Sequence, residues 1–102
     1  MIDLEPNYLR KVKRILAGHV PEFDVLVYGS RVEGTAKTHS YLDLVVITDH
    51  PLVASRLEGL SAAFTAAGLP FKVEIVDWAT IGKSFRKEIK KNGVLIQRFP
   101  VK

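Results

Sequence analysis

Apolar positions along this chain change period several times, and each change marks an element. Tyr8, Val12, Ile15 and Leu16 fall at helical spacing. Pro6 suits the first turn of that helix, where a missing N–H does no harm. Gly18 is the expected stop, with Pro21 just beyond. Phe23 to Tyr28 then reads as a strand, and its continuous Val25-Leu26-Val27 run fits burial on both faces. A second strand is expected over Tyr41 to Thr48. Val53, Leu57, Leu60 and Phe64 share one face of a second long helix. Gly68 and Pro70 end it. Phe71 to Trp78 is the third strand. Thr80 is placed to cap a last helix with an Ile81, Phe85 and Ile89 stripe. Asn92-Gly93 closes that helix, and Val94-Leu95-Ile96 reads as a short edge strand. The alternation of helices and strands predicts an α/β fold.

At 102 residues the chain is expected to form a single domain, 1–102, without internal repeats or linkers. Its apolar share of 47% and charged share of 25% are those of a soluble globular protein. The absence of Cys removes disulfides, thiolate catalysis and Cys-ligated zinc together. Met1-Ile2-Asp3-Leu4-Glu5 lacks a basic-then-apolar leader, and no apolar run matches a membrane span, so the cytoplasm is the expected location. The net charge is +4, with Lys83, Arg86, Lys87, Lys90 and Lys91 concentrated near the end. Such a run is first a solvated helix face, and otherwise a surface for an acidic protein or a nucleic acid. No aromatic residues interleave with it as single-strand binders require, which ranks direct nucleic-acid binding last.

The candidate chemistry begins where the first strand runs into Gly29-Ser30. A Gly there lets the backbone turn sharply and approach a ligand closely. If a helix starts at Ser30, its free N–H groups form an anion site. Ser30 adds a hydroxyl, Arg31 a positive charge, and Gly34 a second permissive backbone position. The structural alternative is a plain strand-to-helix turn with Ser30 as its cap. On the second strand, Tyr41 and Asp43 project to the same face. A carboxylate at the start of an apolar strand is costly unless it is paired, hydrogen-bonded or bound to metal. Glu74 and Asp77 fall on opposite faces of the third strand. Asp77 looks toward the core and suits a cap or turn. Glu74 approaches Asp43 if the second and third strands are neighbours, and otherwise pairs with Lys72 at the surface. His19, His39 and His50 have no metal-ligand spacing, and Trp78 reads as a packing anchor.

Together these residues resemble the minimal nucleotidyltransferases, small relatives of the DNA polymerase β palm fold. The family pattern is Gly-Ser, ten residues, Asp, any residue, Asp. Here Gly29-Ser30 is followed by ten residues, Tyr41, Leu42 and Asp43. Lys72-Val73-Glu74-Ile75-Val76-Asp77-Trp78 is similar to the family's third-acid strand, and Phe85-Arg86-Lys87-Glu88-Ile89 to its closing helix. The resemblance implies a mixed sheet flanked by helices, with Mg²⁺ held by strand acids and ATP held at the Gly-Ser turn. It implies Asp43 and Glu74 as catalytic and metal-binding residues, and Gly29, Ser30 and Arg31 as the nucleotide-binding turn. It further implies an antitoxin that transfers AMP from ATP to a tyrosine of a HEPN-domain toxin and also binds that toxin.

Two departures matter. Glu74 stands where the third acid is usually Asp, which extends the side chain by one methylene. Tyr41 stands where the first Asp belongs, and a neutral phenol is a poor Mg²⁺ ligand. Losing that carboxylate from a two-cation site is expected to cost several kcal/mol of transition-state stabilisation, or roughly a thousandfold in rate. The alternative expectation is therefore a catalytically impaired module that neutralises its partner by contact.

Overall fold

The computed structural model describes residues 1–100. Helix α1 covers Pro6–His19, with proline in its first turn. It continues through Gly18, because the N–H of Val20 still reaches the carbonyl of Leu16 at 2.8 Å. Val12 and Leu16 anchor its apolar face at zero exposure. Truncating a side chain so enclosed as Leu16 to Ala costs about 2–5 kcal/mol.

Strand β1 is Val25–Tyr28. It starts later than the apolar pattern predicts, because the N–H of Phe23 turns back to the carbonyl of Val20 at 3.3 Å. Helix α2 is one short turn, Ser30–Glu33, and strand β2 is Leu42–Val46. Helix α3, Ala54–Ala66, links β2 to strand β3, Val73–Asp77. A 3-10 turn over Trp78–Thr80 leads into α4, Lys83–Asn92, and strand β4 is Val94–Gln97.

Thr80 does not cap α4. Its hydroxyl donates to the carbonyl of Asp77 at 2.8 Å inside the 3-10 turn, and Gly82 precedes the helix. Ile81 accordingly lies outside α4, while Phe85 and Ile89 keep their helical spacing. Asp77 is the hub of this corner: it accepts from the Thr48 hydroxyl, from the Leu52 N–H at 2.7 Å and from the Ala79 N–H at 3.2 Å. A carboxylate that is 4% exposed is tolerated because those donors replace water.

The sheet order is β3-β2-β1-β4. β1 runs antiparallel to both its neighbours, whereas β2 and β3 are parallel, joined by the α3 crossover. The expectation of a small mixed α/β sheet flanked by helices holds. One face carries Val25, Val27, Leu42, Leu44 and Val46 into a core shared with Val12, Leu16, Leu60 and Phe64. Alternation sends Tyr28, Asp43 and Glu74 to the other face. Helix α4 approaches that face through Phe85, whose ring meets Tyr28. Among the described residues no helix is long and apolar enough to cross a membrane.

Candidate functional site

The site starts at the exit of β1. Gly29 adopts φ 79° and ψ −156°, a region open essentially to glycine alone. Its carbonyl accepts from the N–H groups of Val32 at 3.1 Å and Glu33 at 3.2 Å, which closes α2. The first N–H groups of a helix have no partner within it, and here they belong to Ser30 and Arg31.

Asp43 lies directly over this turn. A Cβ placed on Gly29 would overlap Asp43 Oδ2 and stand 3.3 Å from its Cγ. Glycine is thus required at 29 twice, for its backbone angles and for the room it leaves a carboxylate. In register, Tyr28 is opposite Asp43 on the antiparallel side, and Glu74 is opposite Asp43 on the parallel side. The three side chains form one row across three strands. The expected approach of Glu74 to Asp43 is therefore met, because β3 does lie beside β2.

The row sets its own electrostatics. Burial holds the Asp43 carboxyl above its ordinary range, and the charges of Glu74 and Glu33 push it further in the same direction. Tyr28 is pushed up to about 12, first by burial and then by Asp43 and Glu74. Two carboxylates side by side, with no hydrogen-bond donor to Asp43 among the described residues, are a hard-oxygen pair short of positive charge. That donor set fits one Mg²⁺, which commonly takes one or two carboxylates and completes its shell with phosphate and water. It does not make a closed cage: among the described residues no three Asp, Glu or His side chains converge on a cation position.

Two of the expected residues stand apart from the row. The guanidinium of Arg31 turns inward, and the residue is only 6% exposed. It donates to the carbonyls of Asp3 at 2.9 Å, Thr38 at 3.1 Å and Ser40 at 2.9 and 3.0 Å, and lies 4.4 Å over the Phe71 ring. Its donors tie the N-terminal segment and the 37–40 loop to the sheet, so the charge is not presented at the turn. Tyr41 precedes β2 by one residue and is 45% exposed. It borders an open cavity of about 670 Å³ with His39, Phe64, Phe71 and Lys72, at the start of β3.

The remaining candidates are structural. His39 Nδ1 lies 2.9 Å from the Pro70 carbonyl, and the three histidines do not gather. Trp78 carries Arg86 at 5.0 Å and Lys90 at 5.6 Å over its ring, while Arg86 also bonds the Trp78 carbonyl at 2.8 Å. That occupies part of the basic run. Lys83, Lys87, Lys90 and Lys91 are all exposed. Three residues in or beside the site were not among the expected site residues: Tyr28, Glu33 and Phe85. Tyr28 left a signal as the neighbour of Gly29 on a strand that ends at the turn, and Phe85 left one only as part of the last helix's apolar stripe.

This geometry can be set beside known proteins. The family model for polymerase β nucleotidyltransferases matches residues 10–98. The chain is 42% identical over 96 residues to the probable protein adenylyltransferase MntA of Haemophilus influenzae, covering 94% of this chain and 84% of that one. Its fold is similar to that of a toxin–antitoxin crystallised with AMP-PNP, at a TM-score of 0.72 and 20% identity, over 86% of this chain and 71% of that one. A toxin–antitoxin MntA-HepT structure is similar at 0.66 and 16% identity, over 90% and 71%. With the Gly-Ser turn, the strand acid against it and the acid on the parallel neighbour all in place, the chain belongs to the polymerase β nucleotidyltransferase family.

Proposed function

We propose that this protein is an antitoxin that transfers AMP from ATP to a tyrosine of a HEPN-domain toxin and holds that toxin in a complex. The observation that carries the proposal is the register pair Asp43–Glu74 beside the Gly29-Ser30 turn. Identity of 42% to a probable protein adenylyltransferase supports the same chemistry.

Gly29 lets phosphate oxygens approach the backbone, and the Ser30 hydroxyl with the first N–H groups of α2 binds them. Asp43 and Glu74 would hold Mg²⁺, which supplies charge neutralisation and alignment of the phosphates when bound. With the terminal phosphates seated on the turn, the acceptor hydroxyl must enter from the far side of the α-phosphorus. Its oxygen bonds to that phosphorus, pyrophosphate leaves, and the phenol proton is released. The row Tyr28–Asp43–Glu74 faces α4 rather than the core, so α4 borders the path of the incoming acceptor. The cytoplasm supplies both ATP and Mg²⁺ and is where we place this activity.

A second reading keeps the complex and drops the catalysis. It rests on Tyr41 at the position of a strand carboxylate and on the exposed lysines of α4, which suit an acidic partner. Labelled ATP with Mg²⁺ and the cognate toxin separates the two. Label on the toxin supports transfer. A tight complex without label, formed equally well in the absence of nucleotide, leaves only the binding module.

A further inference from the structure

Phe85 keeps 41% of its surface exposed although it stands where α4 meets the sheet. Its one aromatic neighbour is Tyr28, met edge to face with centroids 5.7 Å apart and planes at 82°. A single edge-to-face contact cannot cover both faces of either ring. Tyr28 directly precedes Gly29 and is the register partner of Asp43. The pair therefore borders the phosphate turn on one side and the carboxylate row on the other.

The other rings are engaged or lie elsewhere. Phe71 sits beneath the Arg31 guanidinium, Phe23 has Arg56 at 5.7 Å, and Trp78 is covered by Arg86 and Lys90. Phe99 follows β4, where its N–H reaches Asp24 Oδ1 at 2.6 Å. Tyr41 is exposed but borders the cavity at the start of β3.

We infer that Phe85, steadied by Tyr28, is the stacking platform for the purine base of the nucleotide whose phosphates lie on the Gly29-Ser30 turn. The inference rests on the nucleotide-binding reading above and adds to it the residue that receives the base. Every base has a π face, so such a platform contributes affinity without choosing adenine over guanine.

Calorimetric titration with ATP and with inorganic tripolyphosphate, both with Mg²⁺, tests this on the unaltered chain and on Phe85→Leu, Phe85→Trp and Tyr41→Leu. Leucine keeps apolar bulk against Tyr28 but has no π face. Phe85→Leu is expected to weaken ATP by about fivefold or more while tripolyphosphate binds unchanged. Phe85→Trp is expected to retain ATP affinity, and Tyr41→Leu to leave both ligands unaffected. Unchanged ATP binding by Phe85→Leu, equal loss of both ligands, or an ATP-selective loss in Tyr41→Leu instead would overturn the platform. Binding of tripolyphosphate but not ATP by the unaltered chain would overturn it too. If the unaltered chain binds neither ligand, the nucleotide reading falls with it.

Discussion

Asp43 Oδ2 fills the space where a side chain at Gly29 would begin. The contact couples the phosphate turn to the strand acid, and it separates the two positive-φ glycines of α2. Gly29 stands at ψ −156° against a carboxylate, whereas Gly34 stands at φ 80° and ψ 14° with nothing within 4 Å. Gly34→Ala should cost only left-handed backbone strain, ~1 kcal/mol. Gly29→Ala should cost ~2–3 kcal/mol and displace Asp43. Denaturant unfolding of both variants, followed by Mg²⁺–ATP titration, checks this. Binding should survive at 34 and fail at 29.

The Asp43 carboxyl carries a pH signature. Its folded form holds a proton more tightly than the unfolded chain does, through burial and the neighbouring Glu74 and Glu33 charges. Stability from this group is then fully present below the ordinary carboxylate range. It is lost as pH rises through the raised folded value. Asp43→Asn should remove that part of the pH dependence and raise, not lower, the melting temperature at neutral pH. Millimolar Mg²⁺ should stabilise the unaltered chain and have no effect on the variant. Nucleotide transfer by Asp43→Asn should drop by about a thousandfold. A lower melting temperature in the variant at pH 7 would contradict this picture.

Arg31 is predicted to matter for folding. Its guanidinium satisfies carbonyls of Asp3, Thr38 and Ser40, all in segments without regular structure. Arg31→Ala should cost ~2–4 kcal/mol, since buried acceptors lose their donors. Arg31→Lys should recover little of it, because one ammonium cannot span carbonyls that a planar fork reaches. Urea unfolding measures both. In urea-free buffer, the folded fraction of Arg31→Lys should bind Mg²⁺–ATP as tightly as the unaltered chain.

These residues also mark how far the sequence carries. Asp43 and Glu74 were legible as a pair because strand alternation fixes faces, and adjacency needed only β3 beside β2. Arg31 was not, because an arginine next to a Gly-Ser turn looks the same whether its charge faces a ligand or the interior. Its orientation is decided by carbonyls of the 37–40 loop and by the Phe71 ring, none of which is implied by local spacing. Phe85 belonged to the apolar stripe of α4 on periodicity, yet α4 crosses the sheet where Tyr28 ends β1, and that leaves the ring half open. Thr80 had the chemistry of a helix cap, but the 3-10 turn built on Asp77 moved the start of α4 to Lys83. Pairwise and long-range choices of this kind are tertiary, so no window along the chain contains them.

Tyr41→Asp is the most direct test of what the missing carboxylate does. Alternation places residue 41 two positions before Asp43, and the backbone there is held by the Arg31 bonds to Ser40 and by the Leu42 N–H to the Lys72 carbonyl at 2.9 Å. Tyr41 itself faces the cavity at the start of β3, so a carboxylate introduced there joins Asp43 and Glu74 only by turning away from that cavity. It should raise the affinity for Mg²⁺ and increase label transfer to the toxin by about a hundredfold or more. The exposed phenol contributes little to folding, so below the Asp43 transition stability should stay within ~0.5 kcal/mol of the unaltered chain. Asp43 should respond as well, since a third negative charge nearby pushes its carboxyl further up in the absence of metal. The variant is then expected to lose stability more steeply than the unaltered chain as pH rises through the Asp43 transition, and to regain it on adding Mg²⁺. Equal transfer rates in the two proteins would mean that Asp43 and Glu74 alone suffice for the chemistry.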